Sequence, residues 1–317
     1  MFAGNRQEAA QMDRPLRLGS RVSPLAMAQA RQVQAMLVSL VAREDTLFPI
    51  SGFTTTGDRI LDRPLVEAGG KGLFTKELDA ALLGGQIDAA VHSMKDLPTR
   101  LPEGLTLAAV PAREDARDVF IARSGGALRD LPAGAVIGTA SVRRQAQTLF
   151  RRPDLRITTL RGSVETRLKR VEEGAVDATY LALAGLKRLN LAHLAQTIIA
   201  LADMPSAAGQ GALAIVCRSD DAEARRMLSA LNREEDWLAT SAERAFLDVL
   251  DGSCRTPIGA HAWIEAGRLL MTGELLSPDG TQRWRRSGEV TLGADARRDA
   301  ESLGRRLGEE VKRAASA

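Results

Sequence analysis

Apolar residues in this chain follow two rhythms. From Pro15 onward, short apolar runs alternate with segments whose apolar positions recur every three to four residues. That alternation predicts strands interleaved with amphipathic helices, an α/β architecture. Leu16 to Gly19 reads as a short strand. Ser23-Pro24 then opens a helix, with Ser as N-cap and Pro at the first helical position, and Ala26, Ala30, Val33, Leu37 and Leu40 form its buried stripe. Thr75 is placed to cap a helix carrying Leu78 and Leu82 and ending at Gly84-Gly85. Ile87 to Val91 is a continuous apolar strand that leads directly into His92-Ser93-Met94-Lys95-Asp96.

After Pro111 the same rhythm starts again. Strands are expected at Ala135–Gly138, Ile157–Leu160 and Ala178–Leu183, with helices from Ser141 through Phe150 and from Val164 to Val171, the latter stopping at Gly174. The stretch Pro205–Gly211 reads as a crossover back toward the first unit, with a strand over Ala212–Cys217. The remainder changes texture: a helix over Ala242–Leu250, hairpin strands between Ala260 and Val290 with a turn at Ser277–Gly280, and a last helix with Ala300, Leu303, Leu307 and Val311 on one face. The expected organisation is therefore two doubly wound α/β lobes, residues 14–111 with 206–231 and residues 112–205. A smaller α+β domain over 232–317 follows, and residues 1–13 are expected to form a disordered tail. In such lobes ligands bind at the carboxyl ends of the strands and at domain interfaces.

Composition narrows the classes of partner. Aromatic residues make up 3% of the chain, too few for a base-stacking surface, and the net charge of +3 produces no strong field toward nucleic acid or membrane. The first 13 residues contain no apolar signal-type core, and no apolar run approaches ~18 residues, so the expectation is a cytoplasmic protein with no membrane or nucleic-acid partner. Two cysteines, Cys217 and Cys254, make no C-x-x-C pair, and three scattered histidines offer no metal-ligand spacing. A monomer with no metal is the default.

Chemistry concentrates where strands end and helices begin. Arg21, Lys95, Arg143, Arg144, Arg161, Arg167 and Arg188 all fall at or just beyond such points, where helix N-termini add further donors. The ligand is accordingly polyanionic, with phosphate, sulfate and carboxylate open at this level. Arg suits carboxylates because its fork bonds them in pairs. Asp96 beside these cations stays ionised and could face a developing positive charge, although Asp also fills turns for local reasons. Cys254, on a Gly-containing loop beside Arg255, has a setting that favours a nucleophilic thiol. Cys217, within Ala212–Cys217, reads as core packing. Gly69-Gly70-Lys71-Gly72 lacks the spacing of a nucleotide phosphate loop.

In order and spacing these segments resemble the porphobilinogen deaminase family: Arg21–Ala26, Gly69–Phe74, His92–Pro98, GTASVRRQ from Gly138, LRGSVETRL from Leu160, LAGLKRL from Leu183, GQGAL from Gly209 and GSCRTPIGA from Gly252. The resemblance runs from about Pro15 to the C-terminus. It implies two lobes built like periplasmic binding proteins and a third domain whose cysteine, here Cys254, carries a dipyrromethane cofactor through a thioether. The implied activity is head-to-tail condensation of four porphobilinogen molecules, each losing ammonia, followed by hydrolytic release of hydroxymethylbilane. By the same resemblance Asp96 is the catalytic aspartate. Ser93, Lys95, Thr139, Ser141, Arg143 and Arg144 would hold the cofactor, and Arg21, Ser23, Gln29, Lys71, Arg161, Arg167 and Arg188 the substrate. The chain departs from the family's usual pattern at Ala140, Ser163, Ser253 and Glu67, which touches individual hydrogen bonds and leaves the main cations in place. The competing classes are a non-catalytic two-lobed anion-binding protein and a cysteine hydrolase, the latter without a legible Cys–His pairing.

Overall fold

The computed structural model describes residues 14–41, 45–59, 72–250 and 256–317. The expected tail over 1–13, Glu67, Lys71, Ser253 and Cys254 lie outside the described residues. In chain order the elements are β1 (Leu18–Arg21), α1 (Pro24–Val41), β2 (Ile50–Phe53), α2 (Thr56–Arg59), α3 (Lys76–Leu83), β3 (Ala89–Ser93), β4 (Leu105–Ala109), β5 (Asp118–Ala122) and β6 (Val136–Gly138). They continue with α4 (Val142–Arg151), β7 (Arg156–Thr158), α5 (Val164–Glu172), β8 (Ala178–Ala182), α6 (Leu183–Arg188), β9 (Thr197–Ile198), β10 (Leu213–Arg218) and α7 (Ala222–Ser229). The last are α8 (Glu234–Val249), β11 (Ile258–Glu265), β12 (Arg268–Leu276), β13 (Arg283–Thr291) and α9 (Ala296–Ser316).

The chain folds into two compact units. The first takes residues 14–59, 72–113 and 212–237, and the second takes 114–211 and 238–317 among those described. In the first, the strand order is β2-β1-β3-β10-β4, with β2, β1 and β3 parallel and β10 antiparallel to both its neighbours. Alternation along the strands sends side chains to opposite faces. Val91 and Ile215 pack with Ala30, Val33 and Leu37 of α1, whereas Ala90, Ala214 and Val216 pack with Leu78 and Leu82 of α3. Both faces are covered, so these strands read as unbroken apolar runs.

The second unit repeats that plan with the order β7-β6-β8-β5-β9, where β7, β6 and β8 are parallel and β5 is antiparallel to β8 and β9. It also contains a three-stranded antiparallel sheet, β11-β12-β13, whose core joins Phe246 of α8 and Leu303 and Leu307 of α9 to Ala260 and Met271. The two helices touch at Gly304, where any Cβ would lie 2.1 Å from the Ala242 carbonyl oxygen. The α/β expectation, two doubly wound lobes and a smaller α+β part, is the architecture found.

Several boundaries differ from the sequence reading. α8 begins at Glu234, eight residues before the expected Ala242, because Glu234, Glu235 and Asp236 favour a helix N-terminus and Leu238 already belongs to its buried face. β1 and β3 each lie two residues further along than expected, which places Arg21 and Ser93 at the ends of their strands. Among the described residues no helix is long and apolar enough to cross a membrane.

Candidate functional site

In the first unit the candidate side chains gather at the carboxyl edge of the parallel strands. β1 ends at Arg21, β3 ends at Ser93, and the 3₁₀ turn Met94–Asp96 follows, its start fixed by Met94 N donating to the Ala212 carbonyl beside the antiparallel β10. Ser23 caps α1, its Oγ accepting from Ala26 N at 3.3 Å. Gln29, buried on α1, donates through Nε2 to Ser93 Oγ at 2.8 Å, so the two residues form one polar pair. Lys95 is exposed and Asp96 half-buried.

Arg21 is held on three sides. Its guanidinium lies over the Phe74 ring at 4.2 Å, and its Nε and Nη2 donate to the two carboxylate oxygens of Asp58. Its remaining nitrogen, Nη1, sits 3.8 Å from Asp96 Oδ2. Burial alone would raise the Asp58 carboxyl, but bonds from Arg21 and Thr55 outweigh it and hold the group below the usual range. Asp58 thereby anchors Arg21, and Asp96 accepts no side-chain hydrogen bond from the described residues. Behind them His92 is buried, and burial, reinforced by the Arg21 charge, pushes its imidazole down to about 4. A folded-state value below the unfolded 6.5 means the unfolded chain takes up the proton first, so stability present above pH 6.5 is lost as pH falls toward 4. Urea melts of the wild type should lose about 3 kcal/mol over that window relative to His92→Gln. Parallel curves for the two proteins would exclude this role for His92.

In the second unit the same edge is built from β6, β7 and β8. Thr139 follows β6, and its Oγ1 accepts from Ser141 N at 3.1 Å. Ser141 caps α4, its Oγ accepting from Arg144 N at 3.4 Å. Arg161 lies three residues beyond β7. Ser163, one of the departures noted above, caps α5 by accepting from Thr166 N at 3.2 Å, so its hydroxyl is used locally. Arg167 on α5 donates through Nε to the Gly162 carbonyl at 3.0 Å. Arg188 ends α6 and donates to the Gly211 carbonyl at 2.8 Å; burial lowers it to about 10, opposed in part by Glu114, and it remains a cation at neutral pH.

Arg143 and Arg144 have a partner that local spacing does not show. The sequence expects them among the ligand-gripping cations at a helix start; both are buried and share one carboxylate that the sequence did not reveal, Asp118. Asp118 Oδ2 accepts from Arg143 Nη1 at 2.8 Å and Oδ1 from Arg144 Nη2 at 2.7 Å, while Gln210 Nε2 donates to Oδ1 at 2.9 Å. The cause is topological: β5 is antiparallel, so its first residue, Asp118, pairs with Ala182 at the end of β8. Arg144 Nη1 also donates to the Tyr180 carbonyl at 2.9 Å. Among the described residues the buried Nε–H groups of both arginines find no acceptor. Two guanidiniums against one carboxylate leave net positive charge and unused donors, a setting for carboxylates from a ligand.

Neither Asp58 nor Asp118 was singled out in the sequence. Cys217 behaves as expected: it is fully buried in β10, and burial pushes its thiol up to about 11, which removes it as a nucleophile. Among the described residues no three His, Cys, Asp or Glu side chains converge as a metal site would require.

Comparison with known proteins adds a family. Residues 16–226 match the family model described as porphobilinogen deaminase, dipyromethane cofactor binding domain, and residues 237–313 match that of the porphobilinogen deaminase C-terminal domain. The porphobilinogen deaminase of Phenylobacterium zucineum (strain HLK1) is 50% identical over 306 residues, covering 94% of this chain and 95% of its own. The chloroplastic porphobilinogen deaminase of Oryza sativa subsp. japonica is 51% identical over 269 residues, covering 84% of this chain and 75% of its own. Among solved structures, an ancestral cationic amino acid solute binding protein is 16% identical with a TM-score of 0.43, covering 73% of this chain and 91% of its own.

Proposed function

The chain belongs to the porphobilinogen deaminase family, and from that premise we propose that Asp96 is its catalytic carboxylate and that Cys254 carries a dipyrromethane cofactor. The reaction is a transfer that joins four porphobilinogen molecules, with loss of ammonia at each addition, and releases hydroxymethylbilane by hydrolysis. When bound, the dipyrromethane supplies the pyrrole carbon from which the product is extended. The residues present fit such a group, because each pyrrole bears two carboxylates and Arg143 and Arg144 offer buried N–H donors that no acceptor among the described residues fills. Ser93, Lys95, Thr139, Ser141, Arg143 and Arg144 hold it in this reading.

The observation that carries the reading is the Asp96 carboxylate, which accepts no side-chain hydrogen bond from the described residues. Arg21 Nη1, at 3.8 Å, is too far for a hydrogen bond, and Asp58 keeps the rest of that guanidinium occupied. Asp96 can then accept pyrrole N–H groups and face the positive charge that develops as ammonia leaves. Arg21, Ser23, Gln29, Lys71, Arg161, Arg167 and Arg188 bind the acetate and propionate groups of substrate. The second five-stranded sheet and the three-stranded sheet have separate apolar cores, which supports a division into three domains. We read the enzyme as a cytoplasmic monomer acting on a small molecule. The lack of paired cysteines in the sequence favours a reducing compartment.

An intact mass tests the attachment. The purified protein should exceed its chain mass by one dipyrromethane, and Cys254→Ser should abolish both the excess and the colour with an aldehyde reagent for pyrroles. An unmodified wild-type chain would favour the non-catalytic anion-binding alternative.

A further inference from the structure

Beneath Arg143 a row of buried polar groups leaves α4 and ends in the C-terminal sheet. Among the described residues the Arg143 side chain donates through Nη1, to Asp118 Oδ2 at 2.8 Å, Gln147 Oε1 at 2.9 Å and the Pro205 carbonyl at 3.1 Å. Gln147, one turn further along α4, is fully buried, and its amide nitrogen donates to Glu274 Oε1 at 2.7 Å and to the Pro205 carbonyl at 2.9 Å. Glu274 is fully buried on β12, and its Oε2 accepts from Arg285 Nε on β13 at 2.8 Å. The contact is tight. Gly280, in the turn between β12 and β13, has a φ of +73°, and any Cβ there would lie 2.6 Å from the Ala146 carbonyl oxygen and Phe150 N of α4.

The polarity of this row has one solution. A guanidinium at one end of the Gln147 amide must meet its oxygen, and a carboxylate at the other must meet its nitrogen. Flipping the amide would set N–H against N–H and oxygen against oxygen. Arg143 is thus held from Nη1 alone, and its Nε–Nη2 edge, the side that pairs a carboxylate in bidentate fashion, carries no hydrogen bond from the described residues.

We propose that Glu274 is a positioning residue for Arg143: by orienting the Gln147 amide it fixes the guanidinium from behind and turns the Nε–Nη2 edge toward a pyrrole carboxylate. This rests on the reading of Arg143 as a carboxylate grip. The C-terminal sheet then has a role beyond its own domain, because it sets the aim of a binding residue on helix α4. Isosteric Glu274→Gln is enough to upset the row. Arg285, a charged donor, claims the single remaining oxygen, which leaves an amide N–H against the Gln147 N–H.

The test combines Glu274→Gln, Gln147→Glu, their double variant and Arg143→Leu, scored by dipyrromethane content from intact mass, by KM and kcat for porphobilinogen, and by melting temperature. Glu274→Gln should raise KM about tenfold and slow cofactor loading, with kcat little changed, the size expected of residues sharing one hydrogen-bond network. Gln147→Glu alone faces one carboxylate with another and should be worse. Adding Glu274→Gln restores the donor–acceptor sequence between the two side chains and should recover part of the loss, the remainder being the Pro205 carbonyl, which no longer receives the N–H of residue 147. In an Arg143→Leu background Glu274→Gln should change neither loading nor KM further. If the two defects multiply, or if Glu274→Gln lowers only the melting temperature, the positioning role is overturned and the reading of Arg143 stands. If Arg143→Leu itself loads and binds normally, that reading fails and the proposal falls with it.

Discussion

Asp96→Ala should fold as the wild type does and lose turnover by roughly 10²–10³-fold, the range seen when a preorganised electrostatic group is removed from a reacting centre. The folding part follows from its surroundings. Asp96 is half-buried, accepts no side-chain hydrogen bond from the described residues and lies 3.8 Å from Arg21, which keeps its closer partner Asp58 after the change. Little stability is at stake, because a partly exposed ion pair of that length contributes about 0–1 kcal/mol. The catalytic part follows from charge. A carboxylate facing a pyrrole whose ring becomes cationic on losing ammonia stabilises that state more than the ground state, which is the condition for acceleration. Asp96→Asn is the sharper probe, since it keeps an oxygen acceptor for pyrrole N–H and removes only the charge. Single-turnover ammonia release with matched urea melts would separate the two effects, and near-normal release from Asp96→Asn would remove Asp96 from the mechanism.

Legibility in the sequence stopped at pairing. α1 could be read from its cap and stripe because helix formation there depends on neighbours within four residues, and Ser23 and Pro24 do what that spacing implies. The cations of the site were visible for a similar reason: strand ends and helix starts are local features. Their partners were not. Asp118 opens an apolar strand, where an acidic residue reads as a boundary, and only the antiparallel placement of β5 beside β8 brings it to Arg143 and Arg144. Asp58 sits 37 residues from Arg21 in a polar stretch with no period. Glu274 did leave a trace, a charge within an apolar strand, yet alternation could not say why it is there. Leu269 and Met271 pack on the helices behind the sheet, whereas Glu274 is bonded to Gln147 of α4, so β12 is covered on both faces.

Asp118 is where that hidden pairing should weigh most on stability. Burial would by itself raise its carboxyl, but the charges and bonds of Arg143 and Arg144 hold it well below the usual carboxylate range. Asp118→Ala leaves two guanidiniums in the core without the carboxylate they share, only the more distant Glu274 charge still favouring Arg143, and removes one acceptor from Gln210 Nε2. Breaking a buried pair by removing one partner costs ~3–5 kcal/mol, a large part of the 5–15 kcal/mol that holds a typical domain together. Asp118→Asn should lose less, since one amide oxygen still accepts from one arginine. The pH dependence carries a sign. Because the folded value is depressed, the wild-type contribution is complete above the unfolded carboxyl value near 4 and declines as pH falls below it. Wild type and Asp118→Asn should therefore differ by a constant amount from pH 7 to about pH 4 and converge in stronger acid. Urea unfolding across that range measures both quantities. A loss under about 1 kcal/mol in Asp118→Ala would mean that water or another acceptor reaches the arginines, and that Asp118 does not hold the charge they leave over for a ligand.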